Sequence, residues 1–181
     1  MAYVNLSNLI FFSFLYYLNA LYCGDWNRKR EITLKILVSA CLLGINSRYC
    51  GGGYLDKNIA SLIDSHDIIP VCPEQLGGLP TPREPDEIRD GRVFEKSGKE
   101  NTEAFAKGAE ETLRLAQLLE IDMAILKQNS PSCGSSMIYD GTFTSKKIPG
   151  AGITASLLMK NGIKVINDED EEEIRALVGK S

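Results

Sequence analysis

Lys35-Ile36-Leu37-Val38-Ser39-Ala40-Cys41-Leu42-Leu43-Gly44 is the stretch on which the fold of this 181-residue chain turns. Ile36 to Ser39 is a short, apolar, β-rich run, and it delivers the chain to a cysteine. The same arrangement recurs downstream. Asp67-Ile68-Ile69-Pro70-Val71 reads as a second buried strand ending at Cys72, and Met123 to Leu126 as a third, which runs into a loop carrying Cys133. Ile163 to Ile166 reads as a fourth. Helical patterns fall between the strands. Ile59, Leu62 and Ile63 stand at i, i+3, i+4, and Ile153 to Met159 forms another helix. The longest helix opens near Asn101-Thr102-Glu103, with Thr102 as N-cap and a stripe of Phe105, Ala109, Leu113, Ala116, Leu118 and Leu119. The acidic run Asp168 to Glu173 caps a final short helix ending near Leu177. Strands alternating with helices predict a single Rossmann-like α/β domain, a parallel sheet with helices on both faces.

The segment Pro73 to Pro85 is too rich in proline and glycine for regular structure, and its length suggests a functional loop. Val93 to Asn101 has turn character around Ser97-Gly98. Residues 1–33 read as a leader outside the core, either a translated segment ahead of a natural start near Leu34 or a short apolar anchor, with residues 34–181 as the domain. The apolar run Leu9 to Tyr22 is interrupted by Asn19, is shorter than the roughly 20 residues a spanning helix needs, and has no basic residue before it. Membrane association is therefore not expected of the domain.

With 44% hydrophobic residues the chain can bury a real core, and its net charge of −4 lacks the basic surplus that phosphate neutralisation requires. A small-molecule substrate is expected, and no nucleic-acid partner. The five cysteines, Cys23, Cys41, Cys50, Cys72 and Cys133, are odd in number, widely spaced and without a CxxC pair. That is no disulfide scaffold, and it places the protein in a reducing cytoplasm.

Ligands of open parallel sheets bind beyond the carboxyl ends of the strands, so Cys41, Cys72 and Cys133 are expected to be neighbours in space. Small residues beside Cys41 and Cys133 allow backbone N–H groups to approach an anionic object, and such loops and helix N-termini favour thiolates. Structural zinc normally takes four ligands, often in CxxC units, and the lone histidine, His66, sits at the wrong end of a strand and reads as a surface residue. An iron–sulfur cluster held by three cysteines instead of the usual four leaves one iron free of protein, open to a substrate. Cys23 and Cys50 read as ordinary small hydrophobes, and the acidic run as a solvated helix start.

Three stretches carry a further resemblance: Lys35 to Gly44, Val71-Cys72-Pro73-Glu74-Gln75-Leu76-Gly77-Gly78-Leu79-Pro80-Thr81-Pro82-Arg83-Glu84-Pro85, and Ser130-Pro131-Ser132-Cys133-Gly134-Ser135. Together they resemble the thiouracil desulfidase family, long catalogued as domain-of-unknown-function family 523, over about residues 35–167. The resemblance implies a [4Fe-4S] cluster on Cys41, Cys72 and Cys133, and non-redox removal of sulfur from a thiolated pyrimidine such as 2-thiouracil. That chemistry needs a proton acceptor for water and a donor for the pyrimidine nitrogen. Glu74 is the nearest carboxylate to a ligand, with Ser130 and Ser132 to orient substrate or water, and Arg83 and Arg48 to neutralise substrate or cluster charge. The chain departs from the family at Cys50, where members commonly carry an aspartate after Arg-Tyr; as a fourth ligand, Cys50 would close the open iron. Two other functions use the same thiols: a non-catalytic iron–sulfur or metal carrier, and a cluster-free sulfurtransferase with Cys133 as nucleophile. Oligomeric state is not legible.

Overall fold

A computed structural model describes residues 33–179, so the readings of residues 1–32, Cys23 and the apolar run included, lie outside it. β1 (Lys35–Ser39) is central. It pairs in parallel with β2 (Asp67–Val71) on one side and β5 (Met123–Leu126) on the other, and β5 pairs in parallel with β8 (Lys164–Asn167). The sheet order is β2-β1-β5-β8. Every β1 residue from Ile36 to Ser39 is buried because the strand has neighbours on both edges and helices on both faces, which is why it reads as unbroken apolar sequence.

Alternation along β1 feeds two cores. Ile36 and Val38 pack with Ile59 of α1 (Lys57–Ser61) and with Ile174 and Leu177 of α5 (Glu171–Val178). Leu37 points the other way, into a cluster with Ala116 of α3 (Thr102–Leu118) and Leu158 of α4 (Ile153–Lys160). The parallel sheet with helices on both faces is therefore present. Each fully buried Ile or Leu contributes about 1.5–3 kcal/mol of burial free energy, so the two clusters supply the main drive to fold.

Other expectations need correction. β2 is an edge strand in which only Val71 is buried, and Pro70, which lacks an N–H, is tolerated there for that reason. After Ser61 the helical turn tightens into a 3₁₀ segment, Leu62–Asp64; Leu62 stays buried but Ile63 swings out to solvent. α3 is preceded by Asn101 at the cap position; Thr102 is its first residue, and the Thr102 hydroxyl accepts from Val93 N–H at 3.0 Å. Leu118, at the end of the helix, is exposed.

His66 is buried, not superficial. Leu34 N–H donates to its Nδ1 at 3.3 Å, which leaves Nε2–H to face the Leu177 carbonyl at 3.4 Å, so the imidazole ties the start of β1 to the end of α5.

The segment 73–85 is not wholly irregular. It begins with α2 (Pro73–Leu76), one turn with proline at its first position, where the missing N–H costs nothing. α2 lies backbone to backbone on α3. A Cβ at Gly108 would stand 2.0 Å from the Pro73 carbonyl oxygen, and one at Gly77 2.1 Å from that of Ala104. Two antiparallel hairpins were not anticipated: β3 (Asp86–Arg89) with β4 (Arg92–Glu95), and β6 (Met137–Tyr139) with β7 (Lys147–Pro149). The first turns on Asp90-Gly91, both at positive φ, the signature of a two-residue hairpin. Charged flanks in place of apolar alternation hid it.

Candidate metal centre

Cys41, Cys72 and Cys133 all line one cavity of about 500 Å³ at the carboxyl ends of β2, β1 and β5. β1 is where the strand order reverses, with β2 on one side and β5 on the other, and a crevice opens at such a point. Cys41 lies in the 3₁₀ turn Ala40–Leu42 directly after β1, and its carbonyl accepts from Tyr54 N–H at 2.7 Å and Gly44 N–H at 3.3 Å. Cys72 immediately precedes α2. Cys133 sits in a loop after β5 that is stapled to α4: Ile153 N–H donates to the Pro131 carbonyl at 2.9 Å, and Thr154 N–H to that of Ser132 at 3.0 Å. A Cβ at Gly152 would fall 2.5 Å from the Ser132 carbonyl, so this close staple requires glycine.

Those bonds correct one expectation. The first amides of α4 are consumed by the loop that carries Cys133 and are not free for an anion. Burial raises the Cys41 thiol pKa to about 11, with the nearby Cys72 adding to the rise and Arg48 and Lys127 opposing it. Burial likewise pushes the Cys133 thiol up, Glu74 and the other two cysteines adding to the rise while the Ser39 hydroxyl opposes it. Both are neutral thiols at pH 7 in the metal-free protein, the reverse of the stabilised thiolates anticipated. Desolvation and the neighbouring acidic groups outweigh Arg48 and Lys127 at Cys41 and the Ser39 hydroxyl at Cys133.

The donor set nevertheless fits a cluster. Three thiols from three strand ends line a shared space, and the Cys133 thiol is close enough to Cys41 and Cys72 for both to act on it electrostatically. Among the described residues no three His, Cys, Asp or Glu side chains converge on a single ion. The wider space suits a polynuclear core, whose bridging atoms separate the ligand sulfurs. Cys50 is exposed and is not part of the cavity wall, so the structure does not bring it to the site as a fourth ligand.

The remaining candidates separate into two layers. Glu74, Ser130, Arg83 and Arg48 line the cavity. Glu74 Oε2 accepts from Arg83 Nε at 2.9 Å and is paired with its Nη2, both side chains being largely shielded at 13% and 5% exposure. Glu74 Oε1 accepts from the Ser130 hydroxyl at 3.3 Å, while Ser130 Oγ itself accepts from the N–H groups of Ser132 and Cys133, each at 3.1 Å. One chain of bonds thus runs from Arg83 through the carboxylate to the loop that holds a ligand.

Ser132 is not in the wall. It is 1% exposed and its hydroxyl is 2.8 Å from that of Thr154, inside the staple to α4.

Sequence reasoning passed over Asp86, Glu87, Lys127 and Gln128, which also line the cavity. Asp86 accepts from Asn101 Nδ2 at 2.9 Å, and burial lifts its carboxyl pKa to about 6 against that bond. Glu87 Oε2 accepts from Gly141 and Phe143 N–H at 3.0 and 2.9 Å, which joins the two hairpins along the rim. Asp168 is not a solvated residue. It pairs with Lys127 Nζ and accepts from Gln128 N–H at 2.7 Å, fixing the loop that leaves β5. The signal for Asp86 and Glu87 was their position directly after the proline-rich segment; that for Lys127 and Gln128, their position directly after a strand.

Comparison with known proteins agrees with this geometry. Residues 36–170 match the model of the 2-thiouracil desulfurase family. The uncharacterized protein YbbK of Bacillus subtilis (strain 168) is 44% identical over 149 residues, 77% of this chain and 99% of that protein. A solved structure of a [4Fe-4S]-dependent thiouracil desulfidase superposes with a TM-score of 0.76 at 38% identity, covering 82% of this chain and 100% of its own. With three strand-end cysteines around one cavity and a family model spanning most of its length, the chain belongs to the 2-thiouracil desulfurase family.

Proposed function

We propose that this protein is a desulfidase which replaces the sulfur of a thiolated pyrimidine, such as 2-thiouracil, by the oxygen of water, using a [4Fe-4S] cluster on Cys41, Cys72 and Cys133. The observation that carries this is the convergence of the three thiols on one cavity that also holds the Glu74–Arg83 pair. When bound, the cluster supplies a thiophilic Lewis acid with one iron free of protein ligand. In the net change a C=S group and water give a C=O group and hydrogen sulfide, with no electrons gained or lost.

The chain's own residues manage the protons. Arg83 and Ser130 between them occupy both Glu74 oxygens, so the carboxylate has one orientation and is a preorganised acceptor for a proton of the attacking water. Having taken that proton, Glu74 can return it to the pyrimidine nitrogen, so one carboxyl serves both steps. Arg48, at the cavity wall, balances the negative charge of an anionic base. A free base suits the acidic chain better than a polyanionic nucleic acid. No helix among the described residues is long and apolar enough to cross a membrane, and a cytoplasmic site accords with the free cysteines.

The cluster-free sulfurtransferase asks Cys133 to be a ready thiolate, whereas its thiol is buried and pushed up. The test is anaerobic reconstitution with iron and sulfide, followed by incubation with 2-thiouracil. Uracil and sulfide should appear in equal amounts, and Glu74→Gln should keep its iron while losing roughly 10²–10⁴ in rate, the usual worth of an acid–base group. Equal turnover by metal-free protein would overturn the assignment, as would a fully loaded protein that releases no sulfide.

A further inference from the structure

Ser47 lies in the cavity wall, 1% exposed, and its hydroxyl is the buried side-chain polar atom among the described residues for which no hydrogen-bond partner exists. Its other polar groups are engaged. Its N–H donates to the Ile45 carbonyl at 2.8 Å. Its carbonyl accepts from Arg83 Nη1 and Nη2 at 3.4 and 3.3 Å and from the Cys72 thiol at 3.7 Å. Buried hydroxyls without a partner are rare enough to call for a reason.

We propose that the Ser47 hydroxyl is the hydrogen-bond donor to the Cys72 sulfur when that sulfur is a thiolate ligand of the cluster. The inference rests on the cluster reading above and adds a residue that it does not use. Ligation removes the Cys72 proton, so the present S–H donation to the Ser47 carbonyl ends and a thiolate is left beside a carbonyl oxygen, two acceptors in contact. A donor is then required at that corner. Arg83 is committed to Glu74, to the carbonyls of Ser47 and Pro80, and to the Thr81 hydroxyl. The Ser47 hydroxyl belongs to the residue already touching the sulfur and has nothing else to bond.

Cys133 offers a parallel. The Ser39 hydroxyl accepts from Lys127 N–H at 2.9 Å and is near enough to the Cys133 sulfur to oppose the effect of its burial. Ser39 and Ser47 thus place a serine beside each of two ligand sulfurs. Hydrogen bonds to cluster sulfurs withdraw electron density and raise the reduction potential.

The experiment uses the full chain, reconstituted anaerobically with iron and sulfide, as wild type, Ser47→Ala and Ser47→Thr. Ser47→Ala is expected to bind the same iron as wild type but to show a more negative cluster potential and several-fold faster iron loss to a chelator. Ser47→Thr, which keeps the hydroxyl, is expected to restore both toward wild type. Thermal melting of metal-free Ser47→Ala should match or exceed that of wild type, because an unpaired buried hydroxyl has been removed. Identical potentials and iron-loss rates in wild type and Ser47→Ala overturn the inference while leaving the cluster reading intact. Wild type that takes up no cluster overturns both.

Discussion

Cys41 and Cys133 leave the two central strands and are packed into the two hydrophobic clusters, one on each face of the sheet, whereas Cys72 leaves the edge strand β2 and is only half-buried. The first wall rests on apolar packing, with the Cys133 loop also stapled to α4 by backbone hydrogen bonds. The second is held by polar geometry: α2 seated on α3 through Gly77 and Gly108, then the Arg83 clamp on Glu74 and Ser47. A rigid core places a metal ligand well but desolvates anything charged. The edge instead sets a carboxylate against a guanidinium, each the other's partner, beside the same cavity. Splitting the site this way puts the two core cysteines and the Glu74–Arg83 pair on walls held by different forces.

The largest effects should come from removing ligands. Cys41→Ala, Cys72→Ala and Cys133→Ala are each expected to fall from about four irons per chain to near none after reconstitution. The comparison sharpens on stability. Of the metal-free variants, Cys72→Ala should melt closest to wild type, because its side chain is not part of either core. Equal destabilisation by all three would break the distinction between the walls. Cys50→Ser should retain full iron and activity, since its side chain lies outside the cavity.

Next in size is the edge wall itself. Arg83→Met leaves Glu74 without its partner in a largely shielded place, an arrangement that costs about 3–5 kcal/mol when one member of a buried pair is lost. Urea unfolding should register that loss, discounted for the residual exposure of Glu74. Arg83→Lys should recover part of the stability but not the rate, because an ammonium cannot serve Glu74, Ser47 and Pro80 together. Gly108→Ala drives a methyl into the Pro73 carbonyl and is expected to cost about 1–3 kcal/mol by overpacking. Because α2 must then shift, kcat should fall with iron content unchanged.

The same division explains what could be read in the sequence. The central wall was legible because a strand enclosed on all sides writes itself as an apolar run, and Cys41 and Cys133 follow such runs. Glu74 and Arg83 were reached by their nearness to Cys72 in the chain, and both line the cavity, though the shape of their mutual clamp depends on a chain path that proline and glycine composition does not specify. β3 and β4 were missed because their residues are mostly charged and face the rim, so no apolar alternation marks them, although Asp90-Gly91 was a fair turn signal. Ser132 was misplaced because sequence proximity to Cys133 says nothing about direction; its side chain faces Thr154. His66 was misjudged for a related reason, since its partners, Leu34 and Leu177, lie far away in the chain.

The smallest effects should be those of pH on the metal-free protein, and they too distinguish the walls. Asp86, at the edge wall, has its carboxyl pKa raised from 3.8 to about 6. The folded state therefore holds a proton that the unfolded state has released, so stability should decline as pH rises from about 4 to about 6 and level off above. Asp86→Asn retains an oxygen to accept from Asn101 and cannot ionise, so its stability should be flat across that window and exceed wild type at pH 7. Cys41, in the central wall, has its pKa raised from 9.0 to about 11, and its contribution is present below pH 9 and lost as pH climbs through 11. Cluster assembly must strip that proton, so reconstitution should be faster at about pH 8.5 than at about pH 6.5 and should release protons to a weak buffer. If wild type and Asp86→Asn unfold alike from about pH 4 to 7, burial does not hold a proton on the edge-wall carboxyl, and desolvation of a titrating group is confined to the central wall.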